Sequence, residues 1–371
     1  MKDIGEVQDR GISSILDCLN SGVYVTDVER RIVFWNRTAA RITGFSADEV
    51  VGRRCSANIL RHRDKEGRPL CSTDLCPLHR SMVRAAPTEA PILVYTTSKS
   101  GQDLALSTSC APVFDDDGKV IGGVEVFRDE GPNVRQMELA RTVQRQMLTQ
   151  TMPEDAQLSF AVQYVPRELV SGDLYHVRRL AEGRFAMFLA DAAGHGVSAA
   201  LATALVYSLI MECEDLLADP AALLRAVNNR AAVRAPGLGF FTAVSVALDA
   251  RAGTATFCSA AHPPLLLQRP GRPAELLAQP SLPAGIQADV AYESQTVELR
   301  PGDRVLAFTD GVTDVRTGAD ERLGVDGLRS LVEGMPPGEG HRLTELLDAV
   351  LERCVSVEPD DDITLLSCIM R

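Results

Sequence analysis

Apolar runs that lead into or out of aspartates are the feature that most restricts how this chain can fold. Each run has the length and composition of a buried β-strand. The runs are RFAMFLA before Asp191, RVLAFT before Asp310 and ITLLSCIM after Asp361. A further aspartate, Asp173, lies in the segment SGDLY. A single aspartate beside a strand is usually a turn former or a helix cap, but four such sites indicate a shared set of carboxylates.

Glycines accompany these aspartates and let backbone segments approach each other closely. They are Gly172, Gly194, Gly196 and Gly311. Hard oxygen ligands with closely packed backbone suit Mg²⁺ or Mn²⁺, which prefer carboxylate, carbonyl and water oxygens. The pattern therefore predicts a divalent metal site in the C-terminal part of the chain.

Composition limits the class of protein. With 371 residues, 45% hydrophobic and 24% charged, the chain is typical of a globular protein with two domains. Its net charge of −12 argues against direct nucleic-acid binding. The N-terminus lacks the pattern of a signal peptide, and the longest apolar stretch, Val197 to Met211, is too short to span a membrane. We therefore expect a cytoplasmic protein without a membrane segment, whose nine cysteines are mostly reduced thiols.

Three segments follow from the pattern along the chain. Residues 10–130 alternate short strand-like runs with turns, including a hairpin signal, Asp117-Gly118, between two apolar runs. Residues 131–152 follow a breaker and have apolar residues at partly helical spacing, which predicts a connecting helix. Residues 153–371 form the second domain, which carries the aspartates.

Six motifs in the second domain occur in the order found in one known family. They are VSGDLYH, LADAAGHGVSAAL, CSAAHPPLLL, LPAGI, PGDRVLAFTDGVTD and DDITLL. At these residues the chain resembles the metal-dependent protein phosphatases of the 2C-like (PPM) type, in the bacterial SpoIIE-like branch. The resemblance implies an α+β fold, an αββα sandwich of two antiparallel sheets with two metal ions at one end.

The same resemblance implies the metal ligands. Asp191 would bridge two Mn²⁺ or Mg²⁺ ions, the carbonyl of Ala192 would bind one, and three aspartates would complete the other: Asp173, Asp310 and Asp361. Two such ions activate a shared water for attack on a phosphoester, so no protein nucleophile is required. Asp314 resembles a position that holds a weaker third ion in some relatives.

Two histidines have open roles, and a third lies in a motif that departs from the family pattern. His176 stands where relatives commonly have aspartate, and it would either tune metal affinity or face solvent. His195, in Gly-His-Gly, would either protonate the leaving oxygen or have a structural role at the turn. His262 follows Ser259-Ala260-Ala261, where relatives have Asn-Ala-Gly.

The segment GVYVTDVERRIVFWNRTAARITGFSADEVVGRRC resembles PAS sensor domains, through Asn36, the Gly44-Phe45 pair and Gly52. The closing VIGGVEVFRD also fits. The resemblance implies a five-stranded antiparallel sheet with helices, whose face binds a ligand or a partner. Cys55 lies near the position of the reactive cysteine of flavin-binding light sensors, but the flavin-contacting Asn and Gln are missing.

Cys55, Cys71 and Cys76 fall within one polar segment, with His62 and His79 nearby. Thiolates and imidazoles suit zinc or iron–sulfur ligation, so a metal or redox centre is one hypothesis. Ordinary buried thiols are the second. The third is a set of oxidisable thiols whose pKa is lowered by neighbouring arginines.

These observations predict a PAS-regulated, Mn²⁺- or Mg²⁺-dependent protein serine/threonine phosphatase. The resemblance implies a phosphorylated anti-anti-sigma (STAS) protein as substrate in a partner-switching pathway. The apolar stripe on the connecting helix predicts a homodimer through the PAS domain and this helix, with docking on the second domain as the alternative. The rival function is a non-catalytic docking module that binds a partner through the phosphatase fold.

Overall fold

A computed structural model describes residues 10–71, 73–148, 151–194, 196–237, 239–318, 321–335, 340–355 and 359–371. The chain divides into two compact units, Met1–Gln136 and Met137–Arg371. This boundary falls inside the segment predicted to connect the domains. None of the helices within these described ranges is both long enough and apolar enough to cross a membrane.

The first unit is built on one antiparallel sheet of five strands in the order β2-β1-β5-β4-β3. Its strands are β1 (Gly22–Asp27), β2 (Ile32–Trp35), β3 (Ile92–Thr97), β4 (Asp103–Phe114) and β5 (Val120–Asp129). The predicted Asp-Gly hairpin joins β4 to β5: Gly118 has a φ of +77°, and its N–H donates to the Asp115 carbonyl. This confirms the five-stranded sheet expected from the PAS resemblance.

Four short helices belong to this unit. They are α1 (Arg10–Asp17), α2 (Arg37–Thr43), α3 (Ala47–Val50) and α4 (Pro77–Arg84). Asn36 caps α2, because its Oδ1 accepts from the N–H of Ala39 at 2.8 Å. The core includes the aromatic rings of Tyr24, Trp35 and Phe127, whose centroids lie 5.6 to 6.4 Å apart. Contacts of this kind are typical of aromatic packing in a protein interior.

Helix α5 (Gly131–Leu148) matches the predicted connecting helix. Within the second unit its last turns are anchored through Gln144, whose Nε2 donates to the Ser171 carbonyl at 2.6 Å. The Leu148 carbonyl accepts from the Tyr175 hydroxyl at 2.9 Å. The C-terminal part of α5 therefore packs on the second unit, as the docking alternative proposed.

Two five-stranded antiparallel sheets form the second unit, in the orders β13-β10-β9-β8-β7 and β12-β11-β14-β15-β6. The first contains β7 (Asp173–Ala181), β8 (Arg184–Ala192), β9 (Phe241–Asp249), β10 (Thr254–Ala260) and β13 (Gln295–Glu298). The second contains β6 (Leu158–Val165), β11 (Leu265–Gln268), β12 (Glu275–Leu277), β14 (Arg304–Phe308) and β15 (Ile363–Met370).

Helices cover the outer faces of both sheets. Helices α6 (Val197–Glu212) and α7 (Pro220–Arg234) pack on the first sheet, and α9 (Gly324–Gly334) and α10 (Leu343–Leu351) pack on the second. The short helix α8 (Asp310–Thr313) directly follows β14. The central strands read as continuous apolar runs because both of their faces are covered. This is the predicted αββα sandwich.

Candidate metal centre

The first half of the site lies where β7 begins and β8 ends. Asp173 and Asp191 are cross-strand partners in this antiparallel pair. A Cβ added at Gly172 would lie 2.9 Å from the Ala192 carbonyl oxygen and 3.3 Å from Asp191 Oδ1. Only glycine allows this approach, which brings the Ala192 carbonyl and the Asp191 carboxylate to one place.

The second half comes from the neighbouring ends of β14 and β15. Asp310 opens helix α8 after β14, and Asp361 lies just before β15. A Cβ at Gly311 would lie 1.9 Å from the Asp362 carbonyl oxygen, so any other residue would force these two segments apart. Gly311 thus holds Asp310 beside the Asp361-Asp362 turn.

Electrostatics show that the carboxylates share one region. Burial, followed by the charges of Asp310, Asp361 and Asp362, raises the pKa of Asp191 to about 8. Burial and the Asp361 charge raise the pKa of Asp310, and burial also raises the pKa of Asp361. Each negative charge opposes ionisation of its neighbours, and a bound cation would relieve this repulsion.

Asp173 lies deepest in the group, with only 1% of its surface exposed. Its Oδ2 accepts from the hydroxyls of Thr309, at 2.9 Å, and Thr364. Burial and the Asp191 charge raise its pKa well above the ordinary value. One of its oxygens is therefore held by two protein hydroxyls.

The sequence reasoning did not assign Thr309, Thr364 or Asp362. Asp362 accepts from the N–H of Gly172 at 2.8 Å and from the N–H of Arg167 at 2.7 Å, so it fixes the loop that leads into Asp173. Asp362 and Thr364 lie in the DDITLL motif, one and three residues after Asp361, and Thr309 directly precedes Asp310. These positions beside the predicted ligands were the available signal.

The structure brings all five predicted ligand residues to the same end of the sandwich. Across the described ranges, no group of three or more His, Cys, Asp or Glu side chains is placed so that it could hold a metal ion. Asp314 lies at the edge of this region and forms an ion pair with Arg322. The arrangement supplies hard oxygen donors and an excess of negative charge, the chemistry that a divalent cation needs.

The histidine predictions have different outcomes. His176 does not face solvent: it is 4% exposed, packs edge-on against the Tyr207 ring at 6.1 Å, and has a pKa lowered by burial to about 4. His195 lies outside the described residues. His262 is buried, and its Nδ1 is 2.8 Å from the hydroxyl of Thr242, the cross-strand partner of Asp191.

The premise of the cysteine hypothesis in the first unit is wrong. Cys55 and Cys76 are 5% and 4% exposed and belong to the hydrophobic core. Cys71 donates to the Leu60 carbonyl at 3.1 Å. Burial raises the pKa of Cys55 to about 12 and that of Cys71 to about 11, which is opposite to activation by arginines. Cys55 and Cys76 fill the core, and Cys71 is partly buried beside it, because tertiary packing covers a segment that looks polar in sequence.

The same core contains a buried acid, Glu125, that the sequence did not reveal. Glu125, on β5, is 1% exposed and accepts from the Tyr24 hydroxyl at 2.8 Å. Cys110 Sγ lies 3.6 Å from the same oxygen, and His62 Nε2 lies 3.6 Å from the other. No local motif marks Glu125, because its partners come from distant parts of the unit.

Solved structures identify the class to which the second unit belongs. The SiaA-PP2C domain of Pseudomonas aeruginosa superposes with a TM-score of 0.57 at 24% identity, covering 65% of this chain and 98% of that domain. The PP2C phosphatase domain of SpoIIE from Bacillus subtilis, with a fragment of its regulatory domain, gives a TM-score of 0.52 at 15% identity, covering 76% and 80%. The two-sheet sandwich is therefore the PP2C fold.

The family follows from the sequence match. The profile of Stage II sporulation protein E (SpoIIE) matches residues 181–370, and a PAS domain profile matches residues 20–130. The chain belongs to the SpoIIE family and carries an N-terminal PAS domain.

Two curated relatives come from Bacillus subtilis (strain 168). The phosphoserine phosphatase RsbP is 28% identical over 188 residues, which cover 48% of this chain and 45% of that protein. The phosphoserine phosphatase RsbU is 26% identical over 235 residues, which cover 62% and 69%. The chain thus spans less than half the length of RsbP and about two thirds of RsbU.

Proposed function

We propose that this protein is a PAS-regulated protein serine/threonine phosphatase that depends on Mn²⁺ or Mg²⁺. The observation that carries the proposal is the group of carboxylates around Asp191. Burial and the charges of these neighbours raise the pKa of Asp191 to about 8. Carboxylates that repel one another in one region are stabilised by a cation, and such a site suits hydrolysis assisted by metal ions. RsbP and RsbU are both named phosphoserine phosphatases, and this is the class of reaction that we propose.

Five groups of this chain would hold the ions: the carboxylates of Asp173, Asp191, Asp310 and Asp361 and the carbonyl of Ala192. When bound there, two divalent ions supply an acidified water and stabilise charge on the phosphoryl oxygens. The protein contributes the positions of the ligands. Thr309 and Thr364 orient Asp173 through their hydroxyls, and Asp362 fixes the loop before it.

The substrate we propose is a phosphoserine or phosphothreonine on an anti-anti-sigma (STAS) protein. Membership of the SpoIIE family and the similarity to the phosphoserine phosphatases RsbP and RsbU support this choice. The PAS unit would then set the phosphatase rate in response to its signal.

We also propose a homodimer that uses the PAS unit and α5. Leu139 and Val143 are one helical turn apart on α5, with 67% and 45% of their surfaces exposed. Gln144 and Leu148 are buried on the second unit. Helix α5 therefore packs on the second unit through one side and exposes apolar residues on another. Light scattering should give twice the chain mass, and Leu139→Gln with Val143→Gln should give monomers. A monomeric unmodified chain would overturn this assembly.

The central experiment measures phosphate release from a phosphoserine STAS protein by the full chain, in Mn²⁺ and in EDTA. Activity should require the metal, and Asp191→Asn should lower the rate on the order of 10²-fold or more. The matched control is Asp326→Asn, which removes an exposed carboxylate on α9. Full activity in EDTA or in Asp191→Asn would reject the metal mechanism. Binding of the STAS protein without hydrolysis would favour the docking-module function.

A further inference from the structure

The C-terminal unit contains a cavity that lies far from the aspartates of the candidate metal centre. It has a volume of about 670 Å³, within the range of small-molecule sites. Its lining includes Arg304, the first residue of β14, whereas Asp310 follows the other end of that strand. Six residues of extended chain separate them by about 20 Å. The cavity is therefore distinct from the candidate metal centre.

Arg304 brings an uncompensated charge to this cavity. It is 5% exposed, and its guanidinium donates to Gln268 Oε1 at 3.2 Å and to the Gly340 carbonyl at 3.1 Å. Both acceptors are neutral. Its Nε has no hydrogen-bond partner among the residues that the structure describes, and no carboxylate among them lies within ion-pair distance. Burial and the Arg342 charge lower its pKa, which shows that the site disfavours an unpaired cation.

His341 adds a second unsatisfied group beside Arg304. Its Nδ1 lies 2.9 Å from the Ser367 hydroxyl, while its buried Nε2 has no hydrogen-bond partner within the described part of the chain. Burial, followed by the charges of Arg304 and Arg371, lowers its pKa to about 4. In the tautomer that accepts from Ser367, the neutral ring keeps an unused Nε2–H donor.

Two acidic residues on neighbouring segments are engaged with other partners. Asp303 pairs with Arg269 at 3.1 Å and accepts from the N–H of Arg300 at 2.9 Å. Glu333, on α9, accepts from the N–H of Ala274 at 2.8 Å. Neither of these carboxylates is paired with Arg304.

We propose that this cavity binds a small organic anion with an apolar body. Its carboxylate or phosphate group would pair with Arg304 and accept from His341 Nε2–H. The apolar body would lie against Pro270, Ile369 and Met370, which also line the cavity. A buried guanidinium offers two parallel donors, the geometry that carboxylates and phosphates accept best.

Calorimetry on the full chain tests this site with octanoate, octyl phosphate, octanol and inorganic phosphate. At least one of the two amphipathic anions should bind, and which one binds identifies the head group. Arg304→Met should weaken that binding about tenfold or more, because a charge-assisted pair is lost. The control is Arg300→Met, which removes a nearby arginine with 67% of its side chain exposed and should change nothing.

Three results would overturn the proposal: neither amphipathic anion binds, octanol binds as tightly as they do, or inorganic phosphate matches octyl phosphate. Unchanged binding by Arg304→Met would also overturn it. Hydrogen exchange on the unmodified chain gives an independent test that does not need the variant to fold. The bound anion should slow amide exchange in residues 302–306 and 367–371, and protection confined to other segments would exclude this cavity.

Discussion

The carboxylates around Asp191 and the single carboxylate of Glu125 differ in exposure and in surroundings. Asp310 and Asp361 are exposed and Asp191 is half-buried, whereas Glu125 is 1% exposed. Around Asp191 the neighbours are other acids, and burial together with their charges raises its pKa to about 8. Around Glu125 the neighbours are the Tyr24 hydroxyl, the Cys110 thiol and the His62 ring. Like charges lie together in the first region, whereas in the second the Tyr24 hydroxyl and the Cys110 thiol both contact one oxygen of a single acid.

This difference separates a functional site from a structural one. Acids that oppose one another's ionisation would be stabilised by a cation from outside the chain, so keeping them together costs stability. An acid surrounded by donors of its own unit contributes to a specific packed core. We therefore expect changes near Asp191 to affect activity and changes at Glu125 to affect folding.

The largest expected effect separates Asp310 from Asp314. Asp310→Asn should lower the Mn²⁺-dependent rate on the order of 10²-fold, because it removes a proposed ligand. Asp314→Asn should lower it less than about tenfold, since this carboxylate pairs with Arg322 at the edge of the site. Steady-state kinetics of the two variants measure this difference. Equal losses of rate would place both Asp310 and Asp314 in the metal centre.

The second prediction concerns the core of the PAS unit. Glu125→Leu should reduce the free energy of unfolding by about 3 kcal/mol, because it leaves the Tyr24 hydroxyl buried without an acceptor. Glu125→Gln keeps an acceptor oxygen and should cost about 1 kcal/mol. Urea unfolding of the full chain measures both, and Mn²⁺ should restore neither. If the leucine variant is as stable as the glutamine variant, Glu125 does not organise this core.

Acid should weaken the second unit through His262. Burial lowers its pKa to about 3, so the unfolded chain takes up a proton first as the pH falls below about 6.5. The contribution to stability is complete above pH 6.5 and is lost as the pH falls towards 3. At pH 5 the loss should be about 2 kcal/mol. His262→Gln should flatten the dependence of the unfolding midpoint between pH 7 and 5, and parallel curves would contradict this role.

The smallest effect is expected at the buried cysteines. With pKa values raised to about 12 and 11, Cys55 and Cys71 should hold thiolate fractions below about one in a thousand at pH 8. Mass spectrometry during alkylation should show the exposed Cys18 reacting first. Cys71→Ala should change the phosphatase rate less than about twofold. Rapid alkylation of Cys55, or stoichiometric zinc or iron in the purified protein, would restore the idea of a sensing centre.

The sequence by itself determined the strands, the order of the two domains and the residues that share the acidic end. Apolar runs and Asp-Gly turns are local signals, since strand periodicity and turn geometry depend on neighbouring residues. The αββα sandwich and the five-stranded PAS sheet were predicted from the family resemblances, which rest on motifs that are also local in sequence. The grouping of Asp191, Asp310 and Asp361 followed because each lies where a strand begins or ends.

Only the tertiary structure decided what surrounds each of these side chains. The threonines that hold Asp173 are 136 and 191 residues away from it, and Tyr24 is 101 residues from Glu125. The burial of Cys55 and the unpaired charge of Arg304 likewise depend on chain segments that no local pattern relates. Burial and hydrogen bonding are properties of the packed chain, because they arise where distant segments meet and exclude water.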